Sequence, residues 1–174
     1  MLKVITRTVK EMLEVAYRPQ ETTLNPEDLA YIVVRNPGRN LTITPPVKLG
    51  GSEYPKTYGH FHNPPYAETY QVLVGKAGFL IQKEAAGKVT DAQLQIVLPG
   101  VKFTVPAGYG HICLNLGDDY LITLDNHDPA HFENDYQPIK EKKGMAYYIL
   151  DKGGKVEAVP NPAYGPVPPL KING

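Results

Sequence analysis

Closely spaced turn residues divide this chain into short runs, and this spacing limits the fold more than any other feature. Proline and glycine number 17 and 16 among 174 residues and are spread along the chain rather than pooled. Turn sequences such as Pro99-Gly100 and Gly117-Asp118-Asp119 separate runs rich in β-branched and aromatic residues. Because the turns leave no room for long helices and those residue types favour a pleated backbone, the pattern is typical of strands. The sequence therefore predicts an all-β chain.

Predicted strands occupy most of the chain from residue 31 onward. They cover residues 31–34, 41–44, 69–74, 78–83, 92–98, 102–105, 111–116, 120–124 and 146–150, with 156–159 as an added edge strand. A double-sheet jelly roll or barrel accommodates many short strands of this kind. We expect one domain over residues 1–174, with a barrel core at about 31–150, because a chain of this length fits one core.

Short helices and turns are expected outside these strands. Residues 7–16 place apolar side chains at helical spacing, and Asn25 followed by Pro26 is typical of a helix start. The turn Asn36-Pro37-Gly38 is expected to end the first strand. The proline-rich segment 160–169 is expected to lie extended over the surface.

The charge balance argues against several classes of partner. Lys plus Arg and Asp plus Glu number 18 each, so no broad basic surface would attract nucleic acid or an anionic membrane. No apolar run approaches the length of a spanning helix, and residues 1–7 lack the apolar block of a signal peptide. The single cysteine, Cys113, excludes an intrachain disulfide. We therefore expect a cytoplasmic protein with no nucleic-acid or membrane partner.

Three histidines and a glutamate form a candidate metal site. Side chains alternate between the faces of a strand, so His60 and His62 would project from one side, about 7 Å apart. Together with Glu68 and His111 they could surround one divalent cation. Three imidazole nitrogens and one carboxylate, with coordination positions left open, suit Fe, Mn, Ni or Zn rather than Ca or Mg.

Two motifs resemble those of the cupin superfamily. The pattern G-x5-P-x-G-x2-H-x3-N is matched in full between Gly100 and Asn115. The pattern G-x5-H-x-H-x3-4-E-x6-G is matched from His60 to Gly75 with two departures: Tyr54 replaces the first glycine, and five residues separate the second histidine from the glutamate. The resemblance implies a double-stranded β-helix, or jelly-roll barrel, with short N-terminal and C-terminal extensions and minor helices.

A narrower resemblance involves longer strings. Residues Thr57 to His62 and Ala67 to Tyr70 are similar to the T-x-G-H-F-H…A-E-x-Y signature of the cupin-type glucose-6-phosphate isomerase family, and Asp135 to Gly144 resembles its D-Y-x-x-I…K-G segment. The resemblance implies a homodimer that interconverts glucose 6-phosphate and fructose 6-phosphate, a step of glycolysis and gluconeogenesis. It also implies one divalent metal per chain, with Fe²⁺ expected and Mn, Ni or Zn as alternatives. Strands around residues 31–34 could add to the partner's sheet and cover an edge.

The same resemblance implies roles for individual residues. The implied metal ligands are His60, His62, Glu68 and His111. The implied phosphate and substrate contacts are Thr42, Thr57, Gly59, His131 and Tyr136. His127 is the alternative to His131 for a histidine after the last barrel strand. Glu68 and Tyr70, two residues apart on one strand face, would be the catalytic pair at the reacting end of the sugar.

The chemistry of an aldose–ketose isomerisation leaves two pathways open. A proton can move between C1 and C2 through an enediol, which requires a base, and Glu68 is the candidate. A metal-assisted hydride shift is the alternative. Two other functions use the same ligand set: oxidation by a mononuclear iron cupin dioxygenase, and sugar or metal binding by a non-catalytic cupin module. No helix-turn-helix pattern or basic stretch accompanies the barrel, which argues against a DNA-binding regulator.

Overall fold

The computed structural model describes residues 3–36 and 38–174. Three residues lie outside the described residues. Two are Met1 and Leu2, in the N-terminal segment, and the third is Pro37, in the turn predicted after the first strand. The strands are β1 (Lys3–Thr8), β2 (Leu29–Arg35), β3 (Asn40–Thr44), β4 (Phe61–Asn63), β5 (Glu68–Val74), β6 (Ala77–Ala85), β7 (Lys88–Val97), β8 (Lys102–Val105), β9 (Tyr109–Asn115), β10 (Leu121–Asp125), β11 (Glu133–Asp135), β12 (Tyr147–Asp151), β13 (Val156–Pro160) and β14 (Lys171–Asn173). The helices are α1 (Val9–Met12) and α2 (Gln137–Glu141), with 3-10 helices at Leu13–Val15, Pro19–Glu21, Gly50–Ser52 and Pro162–Tyr164.

Two mainly antiparallel sheets carry most of these strands. One has six strands in the order β1-β2-β3-β10-β5-β8, and the other has four in the order β14-β7-β6-β9. Two smaller pairs, β4 with β11 and β12 with β13, complete the fold. Strands that are distant in sequence are neighbours in both large sheets, so the chain crosses between them repeatedly, as in a jelly roll. The predicted all-β jelly-roll fold is confirmed.

The core consists of two apolar clusters on either side of β6. In one cluster Phe79 and Ile81 of β6 pack with Val72 of β5 and Leu121 of β10, which belong to the opposite sheet. In the other cluster Leu80 packs with side chains of α1, β2 and β12. Because successive side chains point to opposite faces, β6 is buried on both sides and joins the two clusters.

Each predicted strand has a counterpart in the structure. β8 has the predicted bounds, whereas β7 begins at Lys88 rather than at residue 92. The strand expected at His60 and His62 is the three-residue β4, and it pairs with β11, which the sequence pattern does not predict. Both are largely polar, and such short strands carry no apolar alternation.

The predicted helix start at Asn25 is wrong. Asn25 Oδ1 accepts a hydrogen bond from the Glu27 backbone N–H at 3.1 Å, but the chain makes a turn and enters β2 at Leu29. Leu29 pairs with Thr8 of β1. Pairing between β1 and β2 therefore determines the conformation, and the asparagine side chain stabilises a turn instead of a helix.

The helix predicted over residues 7–16 is shorter than expected. Thr8 ends β1, and the α-helix covers Val9–Met12 before one 3-10 turn. Thr8 and Glu11 form a capping box at its start. In the C-terminal tail, the 3-10 helix Pro162–Tyr164 interrupts the predicted extended segment. Across residues 3–36 and 38–174, no helix has both the length and the apolar character needed to cross a bilayer.

β2 is not an edge strand, contrary to the expectation that residues 31–34 could add to a partner's sheet. β1 covers it on one side, with Ile5 opposite Val33, and β3 covers it on the other, with Val33 opposite Thr42. β1 is the end strand of the six-stranded sheet. A second copy could extend this sheet at β1, and the opposite end of the sheet is β8.

Candidate metal centre

Four donor side chains from three parts of the fold converge on one point. His62 lies in β4, Glu68 begins β5, His111 lies in β9, and His60 precedes β4. Their ligand atoms all lie within 4.8 Å of one another. A pair of backbone hydrogen bonds holds His60 opposite His111, with N···O distances of 3.3 and 3.0 Å. The predicted ligand residues are therefore brought together in space.

One carboxylate oxygen lies at the centre of this cluster. Glu68 Oε2 is 2.9 Å from His62 Nε2, 3.0 Å from His111 Nε2 and 4.0 Å from His60 Nε2. The five residues between His62 and Glu68 exceed the motif's three or four, yet the loop that they form returns the glutamate to the histidines. The longer spacing does not separate the two ligands.

The donor set suits a divalent transition metal. His60 Nε2 is buried and has no hydrogen-bond partner among the described residues, although it points at three other potential ligands. A buried polar atom without a partner is costly, and a metal ion would satisfy it. Three imidazoles and one carboxylate are the ligand types that Fe, Mn, Ni and Zn accept. The residues present therefore fit such an ion.

The pKa values of His60 and Glu68 favour the forms that bind a metal. Burial, followed by the neighbouring His111, lowers the pKa of His60 well below its usual value, so this ring is neutral. Burial alone would raise the pKa of Glu68, but hydrogen bonds with His111 and His62 outweigh it and hold this pKa well below the usual range. Neutral imidazole and ionised carboxylate are the forms in which these two residues bind a metal.

Tyr70 supports two of the ligands. Its hydroxyl donates a hydrogen bond to Glu68 Oε2 at 2.8 Å and lies 3.0 Å from His111 Nε2. Burial, followed by the charge of Glu68, raises the pKa of Tyr70 well above its usual value, so the phenol stays protonated. A hydrogen bond from a neighbouring side chain to a metal-binding residue fixes the orientation of that residue. The predicted position of Tyr70 beside Glu68 agrees with this contact.

A second buried carboxylate, Asp125, lines the same cavity, and the sequence interpretation did not identify it. It lies opposite Tyr70 in the pairing of β10 with β5. Asp125 Oδ1 accepts hydrogen bonds from Asn40 Nδ2 at 2.6 Å and from the His127 backbone N–H at 3.0 Å. Burial, followed by the charge of Glu68, raises the pKa of Asp125 to about 7. The alternation of inward side chains along β10 was the signal that could have revealed it.

The two candidate late histidines have different surroundings. His127 is buried, its Nδ1 lies 2.6 Å from the Tyr66 hydroxyl, and its ring stacks on His62 at a centroid distance of 5.4 Å. Burial lowers the pKa of His127 to about 4. His131 is exposed, and its Nδ1 lies 3.0 Å from a carboxylate oxygen of Asp128. His127 is therefore beside the metal ligands, and His131 is not.

Four of the five predicted phosphate and substrate contacts, all but His131, line one small cavity together with two of the candidate ligands. Thr42, Thr57, Gly59 and Tyr136 border it together with His60 and Glu68. Its volume is about 50 Å³, whereas sites for small molecules usually measure about 300–1,000 Å³. An outer cavity of about 390 Å³ adjoins it, and Arg35, Asn134 and Tyr136 line both. A ligand as large as a sugar phosphate would have to occupy both cavities.

Gly59 has a steric requirement for glycine. Its φ angle is +95°, and a Cβ at this position would lie 2.6 Å from Cγ2 of Ile112. On the same segment, Thr57 Oγ1 accepts a hydrogen bond from the Cys113 backbone N–H at 3.0 Å. These two contacts keep the segment against β9, with His60 immediately after it.

Comparison with known proteins identifies the family. A family model described as glucose-6-phosphate isomerase (GPI) matches residues 2–164. The chain belongs to this family. Curated glucose-6-phosphate isomerases from Pyrococcus furiosus and Thermococcus onnurineus are 36% and 35% identical to it over 124 residues, which is 71% of this chain and 62% of each relative. The chain thus matches less than two thirds of the length of these glucose-6-phosphate isomerases.

Among solved structures, an oxalate decarboxylase from Bacillus subtilis is similar to this glucose-6-phosphate isomerase family member with a TM-score of 0.46 and 19% sequence identity. The similarity covers 67% of this chain and 29% of the decarboxylase. The resemblance to the glucose-6-phosphate isomerase family, inferred from the strings around His60 and Glu68, is confirmed by the family match.

Proposed function

We propose that this chain interconverts glucose 6-phosphate and fructose 6-phosphate, with one divalent metal held by His60, His62, Glu68 and His111. The observation that carries the proposal is the convergence of these four donors within 4.8 Å, beside a cavity, in a member of the glucose-6-phosphate isomerase family. Fe²⁺ is the expected metal, with Mn²⁺, Ni²⁺ and Zn²⁺ as alternatives. When bound, the ion would polarise the substrate's O1 and O2 as a Lewis acid.

Glu68 is the proposed proton carrier between C1 and C2. Its Oε2 accepts a hydrogen bond from Tyr70, which leaves Oε1 as the oxygen available to the substrate. Tyr70 would hold the carboxylate in place and, being protonated, could donate to a developing oxyanion. A hydride shift would need no base, so the two pathways differ in the role of Glu68.

Isotope exchange distinguishes the pathways. A base exchanges its proton with solvent, so turnover in D₂O would introduce deuterium at C1 of fructose 6-phosphate, detectable by NMR. A hydride shift transfers hydrogen directly and leaves the product unlabelled. We expect labelling. Complete retention of the substrate hydrogen at short reaction times would remove Glu68 from the role of base.

The remote phosphate is proposed to bind near Thr42, Thr57 and Gly59, with Tyr136 at the cavity boundary. These residues border the same cavity as His60, which supports a role for them in anchoring one end of a ligand whose other end meets the metal. Because the inner cavity is small, we propose that Asn134 and Tyr136 shift when the sugar enters from the outer cavity.

The test of function is a coupled assay with fructose 6-phosphate on the purified chain. Chelator treatment should abolish turnover, and Fe²⁺ should restore it, with metal content measured in each sample. Oxygen consumption is measured in parallel, because an iron cupin dioxygenase would consume O₂. Absence of isomerisation with Fe²⁺, Mn²⁺, Ni²⁺ and Zn²⁺ in metal-loaded protein would contradict the proposal.

We also propose a cytoplasmic homodimer built as one domain per chain. Support for the dimer comes from the position of β1 at the end of the six-stranded sheet, where a second copy could pair. Light scattering coupled to size exclusion measures the mass directly. A monomer at micromolar concentration would contradict it.

A further inference from the structure

Arg35 is a cation without a partner beside the metal centre. It is the last residue of β2, is half-buried, and lines both the inner and the outer cavity. Among residues 3–36 and 38–174, its guanidinium has no partner in an ion pair or a hydrogen bond. A guanidinium carries five donors and is always charged, so Arg35 is available to bind an anion.

The strand register directs Arg35 toward the site. Val33 lies opposite Thr42 in the pairing of β2 with β3, and both are buried. Arg35 is two residues further along β2, on the same face and about 7 Å away. The guanidinium therefore extends from the wall that carries Thr42, one of the proposed phosphate contacts.

Asp125, a carboxylate that lines the inner cavity with Arg35, already has other partners. Asp125 Oδ1 accepts hydrogen bonds from Asn40 Nδ2 and from the His127 backbone N–H. Asn40 Nδ2 also donates to the His127 carbonyl at 2.8 Å. These bonds hold Asp125 in place without Arg35, and no ion pair joins the two in the described structure.

The carboxylates that line the cavity make a nearby cation favourable for binding an anion. Glu68 and Asp125 both line the inner cavity, and a phosphate monoester would add about −1.5 to −2 charges at neutral pH. Thr42 and Thr57 can donate hydrogen bonds but cannot neutralise charge. Arg35 is the one Arg or Lys side chain among the described residues that line this cavity. Arginine also binds phosphate oxygens in a bidentate manner.

We propose that Arg35 binds the phosphate of the sugar phosphate substrate at the boundary between the two cavities, while the carbonyl end reaches the metal ligands. The proposal rests on the function proposed above. It adds a charged anchor to the hydroxyl and backbone contacts, and it sets the direction in which the sugar lies. Arg35 is a binding residue, not a proton carrier.

The test compares Arg35→Gln and Arg35→Lys with a matched control, Arg39→Gln. Arg39 is an exposed residue of the β2–β3 connection and lines neither cavity, so its substitution removes the same charge elsewhere. We expect Arg35→Gln to raise KM for fructose 6-phosphate about 10- to 100-fold with a smaller change in kcat, as for loss of one charged hydrogen-bond partner. Arg35→Lys should recover part of the loss.

Inhibition by inorganic phosphate provides a second readout. Its inhibition constant should rise in Arg35→Gln by a factor similar to that for KM, and should be unchanged in Arg39→Gln. Melting temperature and metal content are measured for each variant, so that a folding defect is recognised. An unchanged KM and inhibition constant in well-folded Arg35→Gln would overturn the proposal.

Binding without turnover separates this proposal from the proposed function. If metal-loaded protein fails to isomerise, calorimetry with glucose 6-phosphate still tests the anchor. Binding that is lost in Arg35→Gln and kept in Arg39→Gln would support the anion site while the isomerase function fails. Equal binding by the wild type and both variants would contradict the role of Arg35.

Discussion

At the residue scale, Tyr70 contacts two of the candidate metal ligands with one hydroxyl group. Its hydroxyl contacts Glu68 and His111, while its ring packs against Phe79 with a centroid distance of 4.9 Å. The ring therefore belongs to the core and the hydroxyl to the metal centre. The two functions can be separated by removing the hydroxyl alone.

Tyr70→Phe is expected to weaken metal binding while the protein stays folded. The ring contact with Phe79 remains, but Glu68 loses the donor that orients it, and such losses typically cost about 10- to 100-fold in metal affinity. Competition with a chromogenic chelator measures this affinity. Tyr120→Phe is the control, because the Tyr120 side chain is exposed. Equal affinities in both variants would show that the Tyr70 hydroxyl does not position the ligands.

Asp125 should make the metal-free protein less stable as the pH rises. Its pKa is raised to about 7 by burial and then by Glu68, from the ordinary value of 3.8. Between these values the folded state keeps a proton that the unfolded state has lost, so stability falls as pH increases from about 4 to about 7 and stays reduced above.

Urea denaturation of wild type and Asp125→Asn at pH 5 and pH 8 measures this effect. The asparagine keeps an Oδ1 acceptor for Asn40 and cannot ionise, so the variant should lose less stability between the two pH values, by about 1 kcal/mol or more. Parallel losses in the two proteins would show that Asp125 has an ordinary pKa.

At the element scale, a buried ion pair between Lys56 and Glu53 anchors the segment that precedes β4. Lys56 Nζ contacts Glu53 and donates to the Val15 carbonyl at 2.7 Å. Glu53 in turn accepts a hydrogen bond from the Tyr17 backbone N–H at 2.9 Å. The pair therefore connects the N-terminal region to the segment that carries Thr57.

Lys56→Met is expected to destabilise the fold by about 3–5 kcal/mol, because it leaves the buried Glu53 carboxylate without its counter-charge. The double variant Glu53→Gln with Lys56→Met should recover part of this loss, since no charge is then buried. Lys48→Met, which removes a partly exposed pair with Asp151, should cost about 1 kcal/mol or less. Chemical denaturation measures the free energy of unfolding of the two single variants and the double variant. A loss in Lys56→Met no larger than that in Lys48→Met would contradict the role of the pair.

At the scale of the whole molecule, metal binding should couple to folding. The four candidate ligands come from segments that meet only in the folded chain, so an ion held by them would bind the folded state and stabilise it. At a free concentration of 100 times Kd the gain is about 2.7 kcal/mol.

Thermal melting with added Fe²⁺, Mn²⁺, Ni²⁺ or Zn²⁺ tests this coupling. We expect the melting temperature to rise with these ions under anaerobic conditions and to stay unchanged with Ca²⁺ or Mg²⁺, which prefer oxygen ligands. His62→Ala should abolish the increase. A rise of the same size in His62→Ala would place the bound ion elsewhere.

The fold class and the residues of the candidate metal cluster could be predicted from the sequence because both signals are local. Strand alternation and turn residues mark most of the barrel, and the spacing of His60, His62 and Glu68 within one stretch, with His111 in a second motif, specifies the donor types. The helix predicted to start at Asn25 does not form, which shows that a local sequence signal can be overruled. There, pairing with β1 determined the conformation.

Tertiary structure alone decided which polar residues surround the metal ligands. Asn40 and Asp125 meet because β3 pairs with β10, and Asp125 lies opposite Tyr70 because β10 pairs with β5. Arg35 reaches the same wall through the pairing of β2 with β3. The sequence determined the type of barrel and the chemistry of its ligands, since those depend on residue type and spacing. The surroundings of the ligands depend on register between strands far apart in the chain, which no local pattern encodes.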